Sequence, residues 1–198
     1  MIFDFGGVLM KTVDYAPRLA WDDRLGLPHG SVERVVHNSG TWRQAQTGQM
    51  LVEDYWQDVA ATLKLDAADL TALRRDFYAG DRLDAALVDL LRGYRADGFQ
   101  IALLSNDSSE LDAKLQALGI TDLFDPLVIS AHIGVMKPDA RAYEITLARL
   151  GRPAPETIFV DDMPANIAAA SALGIHALRY VAGMDLAGAL EPLLTDEP

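Results

Sequence analysis

The sequence predicts an α/β protein with a Rossmann-like parallel sheet, helices on both faces of that sheet, and an inserted helical cap. Three observations carry this prediction. An apolar strand pattern opens the chain, and short apolar runs alternate with helical patterns through its second half. Between the two lies a long stretch with helical patterns and no strand pattern. Strands that alternate with helices in this way indicate a parallel sheet.

The elements of the predicted sheet follow one another in a regular order. The first strand spans residues 1–3, and a helix over 82–96 shows apolar residues at helical spacing. Four βα units then follow, and the first residue of two of their helices is a proline, where the missing N–H costs nothing. Their predicted strands are 100–104, 126–130, 157–160 and 176–180, and their helices are 109–118, 138–150, 164–173 and a short one near 186–194.

The stretch after the first strand predicts a helical insert. Helical patterns cover residues 15–25, 31–38, 52–63 and 67–78, with glycine or proline between them. We therefore expect a cap over residues 13–80 and an α/β core formed by residues 1–12 and 81–198. A helical layer packed on one face of the sheet is the alternative arrangement.

Composition restricts the functions that the chain can have. Its 198 residues include 29 Asp and Glu against 17 Lys and Arg, a net charge of −12, and no cysteine. Such a charge argues against a nucleic-acid partner, because phosphate contacts require a basic surface. No apolar run is long enough to span a membrane, and the apolar start of the chain contains an aspartate, unlike a signal peptide. We expect a cytoplasmic protein, and the sequence does not predict its oligomeric state.

Polar residues follow three of the predicted strands, where ligands of parallel sheets bind. A lysine, Lys137, lies just before a crossover helix and joins them. The residues that follow the strands are Asp4-Phe5-Gly6-Gly7, Ser105-Asn106-Asp107 and Asp161-Asp162.

These residue types suit the chemistry of phosphate and metal. Neighbouring carboxylates repel one another, and Mg²⁺ relieves that repulsion while accepting carboxylate and carbonyl oxygens as ligands. Ser105 precedes a helix, where hydroxyl and N–H groups hold phosphate oxygens. The charge of Lys137 neutralises a transferring phosphoryl group, and one carboxylate can attack phosphorus to give an aspartyl-phosphate.

Four segments at these positions also resemble the four motifs of the haloacid-dehalogenase-like superfamily. They are FDFGGVL at the start of the chain, LLSN at 103–106, MKPD at 136–139 and FVDDMPANI at 159–167. Their order and spacing agree over the whole chain, and the helical insert resembles the type-one cap of that superfamily. Within it, the chain is most similar to small bacterial sugar-phosphate phosphatases and to the N-terminal phosphatase domain of epoxide hydrolases.

The resemblance implies a role for each motif residue. Asp4 becomes the nucleophile and a magnesium ligand, and the Gly6 carbonyl becomes a second ligand. The resemblance further implies Mg²⁺ as cofactor and a small phosphorylated metabolite, such as a sugar phosphate, as substrate. Asp162 and Asp161, the latter directly or through water, complete the metal site, and the implied phosphate-binding residues are Ser105, Asn106 and Lys137.

One position departs from the pattern of this family. Gly6 stands where the family's phosphatases carry a second aspartate, which protonates the leaving group and later activates water. Unless another group transfers the proton, the rate should depend steeply on the basicity of the leaving group. The missing acid also permits a catalytically weak protein that only binds phosphate esters.

Two further functions use a similar set of residues. A haloacid dehalogenase also attacks with an aspartate, without metal, but has neutral residues in place of Asp161-Asp162. A phosphorylatable receiver domain combines an acidic pair, an acceptor aspartate, a hydroxyl and a lysine. In a receiver domain the acidic pair precedes the acceptor, the chain is much shorter, and there is no helical cap. The order of these residues and the length of the chain therefore exclude it here.

Overall fold

The fold, seen in a computed structural model that describes residues 1–195, is built on a five-stranded parallel sheet. The sheet confirms the predicted α/β class, and each predicted strand is present within two residues of its expected bounds. From one edge to the other its strands are β5 (Leu127–Ile129), β4 (Ala102–Ser105), β1 (Ile2–Phe3), β6 (Ile158–Asp161) and β7 (His176–Arg179).

Helices cover both faces of this sheet. Successive strand residues point to opposite faces, so Phe3, Leu103 and Val160 pack in one apolar core. Ile2, Leu104 and Phe159 pack in another. The helices that follow the insert are α6 (Ala85–Ala96), α7 (Glu110–Ala117), the short α8 (Ser130–Ile133), α9 (Ala140–Leu150), α10 (Pro164–Ala172) and α11 (Leu186–Thr195).

Between the first strand and the rest of the sheet lie five helices, where the sequence predicted four. They share an apolar core of their own, which includes all three tryptophans. The helix that was not predicted follows Ser39, whose hydroxyl accepts a hydrogen bond from the Trp42 N–H at 3.0 Å and so caps it. The five are α1 (Ala16–Leu25), α2 (Ser31–His37), α3 (Gly40–Gln46), α4 (Val52–Leu63) and α5 (Ala67–Phe77).

A second, two-stranded sheet was also missed. Strand β2 (Met10–Thr12) pairs antiparallel with β3 (Asp81–Leu83), directly before and after the segment predicted as a cap. The sequence placed Arg82 and Leu83 in a helix, because Leu83 lies at helical spacing from Leu87. The helix starts later because the Asp84 carboxylate accepts from the Leu87 N–H at 3.1 Å and caps it there. The division into a core and a cap at residues 13 and 80 stays a prediction.

The starts of the two proline-led helices differ from each other. Helix α10 begins at Pro164 as predicted. Helix α9 begins only at Ala140, because Asp139 caps it by accepting from the Arg141 N–H at 2.9 Å, and Pro138 precedes the helix. Among the residues that the structure describes, no helix is long and apolar enough to cross a membrane.

Candidate active site

The carboxyl ends of the three central strands bring the predicted site residues to one edge of the sheet. β1 pairs with β4 and β6, with Phe3 opposite Leu103 and Val160. Asp4 therefore leaves the sheet beside the residues that end the neighbouring strands, and its N–H donates to the Val160 carbonyl at 2.9 Å. Parallel pairing alone thus places Asp4, Ser105 and Asp161 on a common rim.

Lys137 lies between two of the carboxylates at this rim. Its Nζ is 2.9 Å from Asp4 Oδ1 and 2.7 Å from Asp161 Oδ2, and the side chain is almost fully buried. A buried ammonium between two buried carboxylates forms strong charge-assisted contacts and holds all three side chains in place. The predicted neighbourhood of Asp4, Lys137 and Asp161 is therefore present in the structure.

The side chain of Asn106 binds the backbone of Lys137. Its Nδ2 donates to the Lys137 carbonyl at 2.7 Å, and its Oδ1 accepts from the Lys137 N–H at 2.8 Å. Both polar atoms of the amide are thus engaged by the Lys137 backbone. The sequence-based role of Asn106 in phosphate binding stays a prediction, and this side chain has a structural role that the sequence did not indicate.

Asp161 is the most constrained of the carboxylates. It is fully buried, and besides Lys137 it accepts hydrogen bonds from the Met163 N–H at 2.8 Å and from the Asn166 amide at 3.0 Å. Asn166 lies on α10, and its own carbonyl accepts from the Tyr143 hydroxyl at 3.0 Å. These hydrogen bonds fix the loop after β6 to α9 and α10. Asp161 is therefore held in one position, from which it can orient Lys137.

Burial dominates the electrostatics of Asp4. It raises the pKa of the Asp4 carboxyl from the usual 3.8 to about 7; Lys137 opposes this shift and the neighbouring Asp161 adds to it. The pKa of the half-buried Asp162 is also raised, by burial first and by Asp161 second. Burial therefore disfavours the charged form of both carboxyl groups, and the neighbouring Asp161 disfavours it further.

Three carboxylates lie close enough to share a cation. One oxygen from each of Asp4, Asp161 and Asp162 lies within 4.8 Å of the others. Within residues 1–195, Lys137 is the single cation at ion-pair distance from this group, so at full ionisation the cluster keeps an excess negative charge. A set of hard oxygen donors with uncompensated charge fits Mg²⁺.

Gly7 lets Asp162 approach the loop that follows β1. Its φ is +77°, and a Cβ at this position would lie 2.4 Å from Asp162 Oδ2. Only glycine leaves room for the carboxylate here. Gly6, whose carbonyl is the predicted metal ligand, is exposed and lies in the same turn. The Gly7 N–H closes this turn by donating to the Met10 carbonyl at 2.9 Å.

The remaining predicted residue, Ser105, ends β4 and is buried. Its hydroxyl makes no hydrogen bond with any residue that the structure describes, although its surface is not sealed off from solvent. A hydroxyl left without a partner among the described residues, at the rim of the sheet, remains available to a ligand.

A cavity of about 390 Å³ opens from this rim towards the helical insert. Both Gly6 and Gly7 line it, and they belong to the turn that follows Asp4. Besides Met10 and Thr12, the remaining wall of the cavity consists of rings and charged groups, which are Phe5, Tyr15, His37, Trp42 and Tyr78, together with Lys11, Arg18, Glu33, Asp81, Asp107 and Lys114.

Most of the charged groups in this wall are already paired. Arg18 contacts Glu33 at 2.6 Å and Asp81 at 2.9 Å, and Lys11 contacts Asp84 at 2.8 Å. Sequence reasoning assigned none of these groups to a site, since they come from three helices and both short strands and no motif joins them. For Asp107 a signal existed, because it follows Ser105 and Asn106 at the end of a strand.

The insert also makes direct contacts with the core beside the site. Gln46 on α3 donates to the Asn106 carbonyl at 2.8 Å, and Arg74 on α5 contacts Glu110 on α7 at 2.7 Å. These contacts seat the insert against the loop that carries Ser105 and Asn106. The cavity is therefore bounded on one side by the insert and on the other by the strand ends.

Comparison with known proteins places these features in a family context. The sequence profile of the haloacid dehalogenase-like hydrolases matches residues 1–174. The sesquiterpene phosphatase astK of Aspergillus oryzae is 31% identical over 179 residues, which are 90% of this chain and 87% of that protein. Other relatives are much longer, and the chain spans 17% and 33% of two of them.

Both phosphatases and dehalogenases occur among the similar sequences. The fructose-1-phosphate phosphatase YqaB of Escherichia coli is 27% identical over 90% of this chain and 94% of its own length. The (S)-2-haloacid dehalogenase 4A of Burkholderia cepacia is 28% identical over 90% of this chain and 80% of its own length.

The fold is shared with solved structures. A HAD family enzyme of Bacteroides thetaiotaomicron, in complex with magnesium and inorganic phosphate, superposes with a TM-score of 0.80 at 20% identity. The superposition covers 95% of this chain and 96% of that one.

Proposed function

Because the chain belongs to the haloacid dehalogenase-like hydrolases, we propose that it is a Mg²⁺-dependent phosphomonoester hydrolase that acts through an aspartyl-phosphate on Asp4. The observation that carries this proposal is the group of three carboxylates, with one oxygen of each within 4.8 Å of the others. The Lys137 ammonium lies among them at 2.9 Å from Asp4.

Each residue takes a part that its surroundings support. Asp4 attacks phosphorus, and Lys137 fixes the attacking carboxylate while its charge compensates the phosphoryl oxygens. The free hydroxyl of Ser105 donates to the phosphate. Asp4, Asp162, the Gly6 carbonyl and Asp161 would hold the cation, which would neutralise the negative charge that the carboxylates and the phosphate bring together. Asp161 is so heavily hydrogen-bonded that its main part is to orient Lys137 and the loop after β6.

The organic part of the substrate occupies the cavity of about 390 Å³ beside Gly6. A volume of this order accommodates a small alcohol rather than a polymer. The relatives named for sesquiterpene and fructose-1-phosphate hydrolysis support a small organic phosphate as the substrate. A sugar phosphate is one member of that class, and a cytoplasmic location stays a prediction.

The similarity to a dehalogenase supports a second candidate, in which Asp4 attacks carbon and displaces a halide. That chemistry needs no cation, so it gives no reason for Asp161 and Asp162 to lie next to the nucleophile. The acidic pair therefore favours phosphoryl transfer.

The test is a screen of sugar phosphates, nucleotides and small organic phosphates, together with 2-haloacids, in Mg²⁺ and in chelator. We expect phosphate release that requires Mg²⁺ and is lost in Asp4→Asn. Halide release that persists in chelator would replace the phosphatase by the dehalogenase. Binding of phosphate esters without any turnover would support the catalytically weak alternative.

A further inference from the structure

Gly6 leaves the proposed phosphatase without the acid that its family places two residues after the nucleophile. Another group must then protonate the leaving oxygen, and it must reach the cavity that Gly6 lines. Three carboxyl side chains line this cavity, namely Glu33, Asp81 and Asp107. Two of them are ion-paired with Arg18, at 2.6 Å for Glu33 and 2.9 Å for Asp81. Both carboxylates are therefore already engaged by the Arg18 guanidinium.

Asp107 differs from both in its contacts. It makes no ion pair with any residue that the structure describes. Its Oδ1 accepts from the N–H of Ser108 at 2.7 Å, while Oδ2 has no hydrogen-bond partner within residues 1–195 and is not sealed from solvent. One carboxyl oxygen is therefore held by the loop, and the other is available to a ligand in the cavity.

The backbone of Asp107 is firmly placed. Its N–H donates to Ser130 Oγ at 3.0 Å, and its carbonyl accepts from the same hydroxyl at 3.2 Å and from the Ala131 N–H at 3.3 Å. Asp107 also follows Ser105 and Asn106 directly, so it sits on the loop that carries a proposed phosphate contact. A group that transfers a proton must be held in a fixed position, and these contacts hold the Asp107 backbone at the wall of the cavity.

The surroundings of Asp107 also favour its protonated form. Burial raises the pKa of its carboxyl to about 6, while Lys114 and His37 oppose the shift and Glu110 adds to it. A pKa close to the working pH suits a group that both donates and accepts a proton. The titratable and charged groups that face it come from α7, α2, α4 and the end of α5, and they are Lys114, Glu110, His37, Tyr55 and Tyr78.

We propose that Asp107 is the catalytic acid and base that replaces the missing carboxyl at position 6. As Asp4 Oδ bonds to phosphorus, the bond from phosphorus to the leaving oxygen breaks, and that oxygen takes the proton of Asp107 and departs as an alcohol. The Asp107 carboxylate then removes a proton from water, whose oxygen bonds to phosphorus while the Asp4–phosphorus bond breaks. Asp4 regains its carboxylate, phosphate leaves, and Asp107 is again protonated. This assignment rests on the proposed phosphatase function.

The test is the dependence of kcat/KM on leaving-group basicity, measured with aryl and alkyl phosphates. The wild type should show a shallow dependence. Asp107→Asn should lose on the order of 10²-fold or more on alkyl phosphates and far less on 4-nitrophenyl phosphate, since an activated leaving group needs little protonation. The alkaline decline of kcat/KM should disappear in the same variant. Asp107→Glu should restore part of the shallow dependence, and adding Gly6→Asp to Asp107→Asn should restore more.

Asp112→Asn is the matched control, because Asp112 lies on α7 outside the cavity and loses the same charge. If Asp107→Asn keeps the wild-type leaving-group dependence and pH profile, the assignment is wrong. Should that variant not fold, Asp107→Glu decides the question: a displaced alkaline limb supports the assignment, and an unchanged limb overturns it. Wild-type protein without Mg²⁺-dependent turnover on any ester would overturn the phosphatase function itself, and the assignment with it. Turnover that is normal in Asp107→Asn overturns the assignment alone.

Discussion

Asn106 holds Lys137 by two opposed hydrogen bonds, accepting from its N–H at 2.8 Å and donating to its carbonyl at 2.7 Å. The side-chain amide thus pairs with the lysine backbone much as a neighbouring strand would. Asn106 follows β4 directly, whereas Lys137 lies in the loop after α8, so this pairing ties the Lys137 loop to the end of β4. The position of the Lys137 ammonium depends on where that loop is held.

Asn106→Asp tests this pairing. The variant has nearly the same shape, but it turns the donor into a second acceptor that faces the Lys137 carbonyl. We expect a loss of about 1–3 kcal/mol in the free energy of unfolding, because a buried carbonyl loses its donor, and a fall in kcat as the ammonium shifts. Urea unfolding and steady-state kinetics measure both effects. Asn38→Asp, at an exposed asparagine of the insert, should change neither, and equal effects of the two variants would contradict the argument.

Lys137→Met tests the cation between the two carboxylates. Removing the ammonium leaves Asp4 and Asp161 buried without compensation, so we expect a loss of about 3–5 kcal/mol in the free energy of unfolding near neutral pH. The loss should shrink at acid pH, where Asp4 takes up a proton. Lys64→Met makes the same change on the surface and should be nearly neutral. A variant at position 137 that is as stable as the wild type at pH 8 would refute this prediction.

Asp4→Asn should abolish turnover and yet stabilise the protein in chelator. The pKa of Asp4 is raised in the folded state, from 3.8 to about 7, so the folded protein binds this proton more tightly than the unfolded chain does. Asp4 therefore favours folding at acid pH, and this contribution is lost as the pH rises from about 4 to about 7. The chelated wild type should lose stability over that range, and Asp4→Asn should lose less.

The measurement is the thermal midpoint in chelator as a function of pH, with Mg²⁺ as the second condition. Saturating Mg²⁺ should raise the thermal midpoint of the wild type at pH 7–8. At 100 times its Kd, bound Mg²⁺ adds about 2.7 kcal/mol to the free energy of unfolding. It should do little for Asp4→Asn, which lacks one of the cluster's ligands. If the thermal midpoint of the wild type changes with neither pH nor Mg²⁺, the proposed metal site is wrong.

Gly7→Ala should weaken metal binding more than it weakens folding. Its Cβ would lie 2.4 Å from Asp162 Oδ2, so the carboxylate must move away from the cluster. Gly183→Ala is the control: it also has a positive φ, +83°, but no atom lies within 4 Å of its added Cβ. Because both glycines have a positive φ, both variants should lose a similar amount of folding stability through backbone strain. Only Gly7→Ala should raise the Kd for Mg²⁺, measured by titration calorimetry. Equal Kd values in the two variants would be the contrary result.

Much of the fold could be predicted because its signals are local. Apolar runs such as 158–160 in the strand predicted over 157–160 mark buried strands, and proline or glycine marks the ends of several helices. Strands β2 and β3 were missed because each has three residues and their pairing spans the whole insert, so neither shows a pattern of its own. The short helix α3 was hidden because Gly40, its first residue, was interpreted as a break.

The site could be predicted only as far as strand ends determine it. Parallel strands bring Asp4, Ser105 and Asp161 together whatever their side chains do, and the motifs named Lys137 and Asp162. The sequence could not show that Asn106 pairs with the Lys137 backbone, because that contact depends on the exact path of two loops. It also could not show which of the cavity's carboxyls remains unpaired, since the ion pairs of Arg18 join residues from α1, α2 and β3.

The antiparallel pair of β2 and β3 has a consequence for how such a protein can diversify. The chain enters and leaves the insert side by side, with Thr12 Oγ1 donating to Asp81 Oδ1 at 2.7 Å across the junction. A segment whose ends are already joined can change length or be exchanged between homologues at little entropic cost to the remainder. Grafting between Thr12 and Asp81 would leave Asp4, Lys137 and Asp161 in place. Recombination at the β2–β3 pair can therefore change the insert while the proposed reaction centre is inherited intact.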